Sequence, residues 1–241
     1  ELMTENANNH PFVFAASPSL KTVEKDDVEA EIINKKTTGL LGETFAPVYK
    51  LSDSKNVPSK ELIDQYKKDA VQGDIESQYK LGIVHYEGNG IEQDHLEAAG
   101  WFRKAAQQGH AKAQSLLGYM YLNGKGMERS VDGAFKWLSE AAIQGDSYSQ
   151  YYLGKLYYEK MISSLNHDKV AARWYKRAAE QGYPQAQYEL GQMFFQGKGV
   201  RQDYESAYEW LSKAAENGLE GSKELIEKLC RVQPDSCDQS A

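Results

Sequence analysis

Gly124-Lys125-Gly126 sets a lysine between two glycines directly after a helix-like run. Backbone N–H groups and an ammonium in such a loop are what a phosphate cradle requires. A phosphate loop, however, occurs once, follows a strand and ends in Lys-Ser or Lys-Thr. Here Gly-x-Gly recurs at Gly88/Gly90, Gly124/Gly126 and Gly197/Gly199, each time between two helical runs. It is therefore expected to be a tight turn. Other candidates for chemistry are equally weak. The five histidines do not gather around the two cysteines, Cys230 and Cys237, so no metal site is expected. His85 takes the place that Tyr121, Tyr157 and Phe194 hold elsewhere in the chain, which points to aromatic packing. Serine and histidine form no nucleophile signature, and the carboxylates form no distinctive pair. No catalytic or cofactor-binding residue is expected, and the protein is not expected to be an enzyme.

The elements that carry these residues form an array. Leu-Gly occurs at Leu81-Gly82, Leu117-Gly118, Leu153-Gly154 and Leu190-Gly191, at spacings of 36, 36 and 37 residues. Trp101, Trp137, Trp174 and Trp210 follow those glycines at near-constant distance, and Ala-Ala-x-x-Gly ends at Gly109, Gly145, Gly182 and Gly218. Each unit reads as two helices. Helix A carries Gln-x-x-Leu-Gly-x-x-aromatic, with Gln78, Gln114, Gln150 and Gln187; helix B carries Ala-x-x-Trp-x-x-x-Ala-Ala. Spacings of three and four put Ala, Trp and Ala-Ala on one helical face, with Trp filling the volume that the alanines leave. The glycine after each helix B suits a left-handed cap, and Pro184 suits a first helical turn.

These motifs, as in "SQYKLGIVHYEGNG" and "AAGWFRKAAQQG", resemble the Sel-one-like repeats (SLR), relatives of the tetratricopeptide repeat. The resemblance implies an all-α, right-handed α/α solenoid whose A helices line a concave surface for another protein or peptide. It also implies that bacterial members are often exported, and that some are immunity proteins which neutralise a secreted antibacterial effector such as a lipase. Hydrolysis of β-lactams is described for cysteine-rich relatives, which this chain resembles poorly.

The expected boundaries are an irregular N-terminal extension over 1–57 and a solenoid over 58–230. The solenoid divides into a capping helix at 58–74, repeats at 75–110, 111–146, 147–183 and 184–219, and a second capping helix at 220–230. A tail at 231–241 follows. Glu1 is expected to be either a product of cleavage or part of a two-residue remnant ahead of Met3. A net charge of −7 argues against nucleic acid, and no apolar run approaches the ~18 residues of a membrane span. The chain is expected to be a monomer. On a straight helix Cys230 and Cys237 would stand about 10.5 Å apart, beyond the roughly 7 Å reach of a disulfide. Pro234 lies between them and can turn the chain back, so a disulfide, and with it a periplasmic or secreted location, is expected; the alternative is a pair of unrelated thiols in a cytoplasmic protein.

Counted from the Leu-Gly glycine, positions −6, −2, +1 and +5 vary most in chemical type. They form one stripe of helix A. Core positions do not exchange Lys, Leu, Tyr and Glu freely, so the stripe is expected to face outward into the groove. The expected partner-binding residues are Ile83, Leu116, Tyr119, Tyr148, Tyr152, Lys155, Glu189 and Gln192. The alternative is that these aromatics pack against the N-terminal segment of the same chain. In repeat three, "EKMISSLNHD" replaces Gly-x-Gly and adds Met161, Ile162 and Leu165, a loop suited to a partner contact.

Overall fold

The computed structural model describes residues 57–237, all within the second of the two units into which the chain divides, Ala46–Ala241. The expected extension therefore lies, except for Val57, outside the described residues. Ten α-helices and no strand occur among the described residues. They are α1 (Lys60–Val71), α2 (Ile75–Glu87), α3 (His95–Gln107), α4 (Ala111–Asn123), α5 (Val131–Ile143), α6 (Ser147–Tyr158), α7 (His167–Glu180), α8 (Pro184–Gln196), α9 (Tyr204–Glu216) and α10 (Gly221–Val232). A 3₁₀ turn, Pro234–Cys237, follows. Even-numbered α2 to α8 are the A helices of the four repeats, and odd-numbered α3 to α9 are the B helices.

Local chemistry sets the helix ends. Asp74, Asp94, Asp146, Asp203, Ser59 and Ser130 accept backbone N–H bonds at helix starts, the usual work of short oxygen-bearing side chains. His110 does the same through Nδ1, and Pro184 occupies the first turn of α8. Gly88, Gly124 and Gly197 close α2, α4 and α8 in the left-handed conformation. The second glycine of the motif serves packing: a Cβ on Gly126 would lie 2.2 Å from the carbonyl oxygen of His95, and one on Gly199 2.3 Å from that of Asp168. Gly-x-Gly thus lets each loop lie against the start of the preceding repeat's helix B. In repeat three, Lys160 takes φ 57°, the one positive φ at a non-glycine residue among those described.

Helices A and B of a repeat pack closely because the Leu-Gly glycine leaves room. A Cβ on Gly82, Gly118, Gly154 or Gly191 would lie 2.6–2.8 Å from Phe102, Leu138, Tyr175 or Leu211 respectively. Those four side chains, each one position after the tryptophan, are at most 1% exposed and form the core with the alanines. This corrects the expectation that tryptophan fills that volume. Trp101, Trp174 and Trp210 are only half-buried, and only Trp137 is buried. Each indole instead lies under a cation: Lys104, Lys136, Arg177 or Lys213, at 3.7–4.7 Å. The amphipathic face is one residue further round than the largest side chain suggests.

A ladder of side-chain amides joins successive repeats. Nε2 of Gln78, Gln114, Gln150 and Gln187 donates to the carbonyl of Ala70, Ala106, Ala142 and Ala179, near the end of the preceding helix, at 3.0–3.2 Å. Each glutamine also accepts from the residue before its own repeat's final glycine: Gln108, Gln144, Gln181 or Asn217. The buried amides are thereby satisfied at both ends.

A disulfide links Cys230 at the end of α10 to Cys237 in the 3₁₀ turn, with Cα atoms 5.7 Å apart. The helix stops at Val232, just before Pro234, and the chain folds back as expected.

Candidate protein-binding surface

Two contacts join helices on one side of the array: α4 meets α6, and α8 meets the capping helix α10. No two successive B helices pack to that extent. The A helices therefore form the inner side of the array, and the variable stripe belongs to them.

The structure places the eight expected residues in three groups. At the repeat-one end, Ile83 lines a concavity of about 580 Å³ with Val57, Leu62, Tyr66, Tyr79 and Val84. Leu62 is 42% exposed there, and Lys80 and Glu76 pair at 3.5 Å on its rim. In the middle, Tyr119 and Tyr148 meet edge to face with centroids 6.5 Å apart, and Tyr148 lies 4.6 Å from Tyr152. Leu116 is buried alongside this part of the stripe. Toward the C-terminal end, Lys155 pairs with Glu159 at 3.8 Å, and Glu189 lies within their electrostatic reach. Gln192 is half-buried one turn beyond Glu189.

The stripe does not face outward as a whole. Ile83, Leu116, Tyr119, Tyr148 and Tyr152 are each at most 6% exposed, whereas Lys155, Glu189 and Gln192 are half-buried. At the seam between α4 and α6, Tyr119 and Tyr148 cover each other. The alternative of packing against the N-terminal segment lies outside the described residues.

Two aromatics that the sequence did not single out extend the middle group. Tyr151 stands 5.0 Å from Tyr152 and 5.1 Å from Tyr183. Burial raises the hydroxyls of Tyr151, Tyr152 and Tyr183 well above the ordinary phenol range. The signal for Tyr151 was present in the tyrosine-rich "SYSQYY" at the start of α6, whereas Tyr183 stands just before Pro184 at the start of α8. Burial also raises the carboxyls of Glu159 and Glu189, the latter to about 6, with Lys155 opposing in both cases.

His85 is half-buried, and burial pushes its imidazole below the usual value. In the loop of repeat three, Leu165 is fully exposed while Met161 and Ile162 are half-buried. Among the described residues no group of His, Cys, Asp or Glu has metal-binding geometry, and no helix is long and apolar enough to cross a membrane.

Comparison with known proteins places this frame. No curated protein matches the chain. A Sel1 repeat protein of Oxalobacter formigenes is 30% identical, with a TM-score of 0.63 over 69% of this chain and 66% of its own. Protein c5321, a protective antigen of uropathogenic Escherichia coli strains that displays an SLR fold, is 37% identical. Its TM-score is 0.60 over 65% of this chain and 33% of its own. The chain thus spans just under two thirds of the first relative and a third of the second. The Sel1 repeat profile matches residues 75–110, 111–146, 147–183 and 184–219, more than half of the sequence. The chain belongs to the Sel1 repeat family.

Proposed function

We propose that the protein is a non-enzymatic scaffold that holds another polypeptide against the inner, A-helix side of the array. The observation that carries this reading is the contrast between two sets of positions on the same helices. Glutamine, Leu-Gly and Ala-Ala are repeated because they build the frame. The −6, −2, +1 and +5 positions instead follow a gradient, from an apolar and aromatic centre in repeats two and three (Leu116, Tyr119, Tyr148 and Tyr152) to mostly charged and amide residues in repeats one and four. A surface under packing constraint alone has no need of that gradient; a surface that reads a partner does. Aromatic side chains with a charged and amide flank are the usual makeup of an interface centre and rim. The Cys230–Cys237 disulfide supports an oxidising compartment, periplasmic or extracellular, as the place of action.

The test is site-specific photo-cross-linking in the native host. A benzophenone side chain is placed at Leu62 or Gln192 on the groove side, or at exposed Arg173 on α7. The reading expects one polypeptide to be captured from both groove positions and not from Arg173. Capture from Arg173 alone would overturn it.

A further inference from the structure

α1 is a helix B without a helix A. It precedes α3 by one repeat of 36 residues and has the same register. Ile63 and Ala70, each 2% exposed, match the buried Ala99 and Ala106. The carbonyl of Ala70 receives Gln78 of α2 as that of Ala106 receives Gln114 of α4. The side of α1 toward the next repeat is thus built like that of any other helix B.

The side toward its own repeat is open. In the full repeats the residue after the tryptophan sits over the Leu-Gly glycine of its own helix A, and in repeats three and four the backbone of the alanine four residues earlier borders the same glycine. Those alanines, Ala98, Ala134, Ala171 and Ala207, are 0% exposed. In α1 the two positions are Tyr66, half-buried, and Leu62, 42% exposed, on the wall of the 580 Å³ concavity whose far wall is α2. The amide ladder stops here too. Gln108 donates to Gln78 of its own repeat, whereas its counterpart Gln72 is exposed and meets no helix A glutamine among the described residues. An aromatic, an aliphatic and an amide together mark the seat of a helix A. Two occupants from this protein fit it poorly. One repeat upstream, Gly42 stands at the glutamine position and Pro47 directly after the small residue, where proline breaks a helix. In a second copy, α10 is a helix A without a helix B among the described residues, in the register set by Ser222 and Leu229, which are buried like Ala186 and Met193. That register puts Glu227 in place of the Leu-Gly glycine, which prevents close approach.

We propose that the polypeptide held by the scaffold supplies this helix: an amphipathic α-helix with Gln-x-x-Leu followed by glycine or alanine, seated against Leu62 and Tyr66 as a further helix A. This assignment rests on the scaffold reading and adds the form of the partner to it. The small residue lets the incoming backbone close over Tyr66, as Gly82 does over Phe102. The incoming glutamine accepts from Gln72, as Gln78 accepts from Gln108. The contact of Tyr119 with Tyr148 shows that the +1 position of one helix A meets the −6 position of the next. Here that −6 residue is Glu76, so lysine or arginine at +1 of the partner helix is favoured.

The probe is a labelled peptide with the sequence of residues 147–158, which carries Gln150, Leu153-Gly154 and Lys155 in the required order, kept helical by a hydrocarbon staple on the side away from them. Binding to the full chain at pH 7.5 is followed by fluorescence anisotropy. The peptide is expected to bind, and its Gly154→Phe version to bind at least about tenfold more weakly because the ring cannot close over Tyr66. In the chain, Leu62→Glu should weaken binding about tenfold and Gln72→Leu about threefold. Leu96→Glu, at an exposed site on α3, should leave it unchanged. Circular dichroism verifies that each variant is folded. No binding, equal binding of both peptides, or equal loss in Leu62→Glu and Leu96→Glu overturns the proposal. Self-association of the chain that the peptide abolishes would give the seat to a second copy and overturn it as well. With the seat saturated by peptide, cross-linking of the native partner from Leu62 is expected to fall. Full yield from Leu62 under those conditions would refute this seat and leave the scaffold reading standing. Absence of partner capture from both Leu62 and Gln192 without peptide would strike the scaffold reading, and this assignment with it.

Discussion

Protonation of Glu189 relieves the fold of a buried charge, and its pH dependence has a definite sign. Burial raises the carboxyl from 4.5 to about 6; Lys155 and Lys198 oppose the shift and Glu159 adds to it. Tyr151, Tyr175 and Tyr188, the other titratable groups that it reaches electrostatically, stay neutral throughout this range. An acid whose folded value exceeds its unfolded value destabilises the fold fully above the folded value and not at all below the unfolded one. The cost at pH 7.5 is about 2 kcal/mol. Glu189→Gln should therefore raise the melting temperature at pH 7.5, with the gain gone at pH 4.5. A gain of equal size at both pH values would contradict this account of Glu189. Packing gives a second residue-scale test. Phe102 is fully buried over Gly82, while Trp101 beside it is half-buried under Lys104. Phe102→Ala should cost about 3–5 kcal/mol in urea denaturation, and Trp101→Ala clearly less. The reverse order would return tryptophan to the core.

At the scale of the helix, the amide ladder is the device that couples one repeat to the next. Gln150 donates to Ala142 at 3.1 Å and accepts from Gln181 at 2.7 Å, with its side chain buried. Gln150→Met keeps the volume and removes both bonds, so it should cost about 1–3 kcal/mol. An unchanged urea midpoint would show that the ladder is incidental. The four glutamines were legible in the sequence as a period, and the helices, caps and turns followed from Leu-Gly, Ala-Ala-x-x-Gly and Gly-x-Gly. Two features were not. The direction of a helical face is uncertain by one residue when Trp and its neighbour are both large, so the core position was misplaced from Phe102 to Trp101. Variation in type was equated with exposure, yet Tyr119 and Tyr152 vary in type between repeats and are at most 5% exposed. Burial depends on what packs over a helix face, which a linear pattern does not carry.

In the molecule as a whole, stability propagates between nearest neighbours, so the ends of the array govern how readily it frays. At the C-terminal end, the Cys230–Cys237 link closes an eight-residue loop and holds the 3₁₀ turn against α10, with Cys230 and Cys237 packed on a core of Ala207, Leu211 and Leu229. In the chain-entropy view such a loop contributes about 2.5 kcal/mol. Reduction should lower the melting temperature and open α10 amides to hydrogen exchange before those of α4 and α6; uniform loss of protection along the array would contradict this. The central claim is that a polypeptide is held on the A-helix side. Amide hydrogen exchange on the chain with and without its cross-linked partner, read helix by helix by mass spectrometry, tests it most directly. The expected result is slowed exchange in α2, α4, α6 and α8 on partner binding, with α3, α5, α7 and α9 little changed. Protection confined to the B helices would contradict the claim.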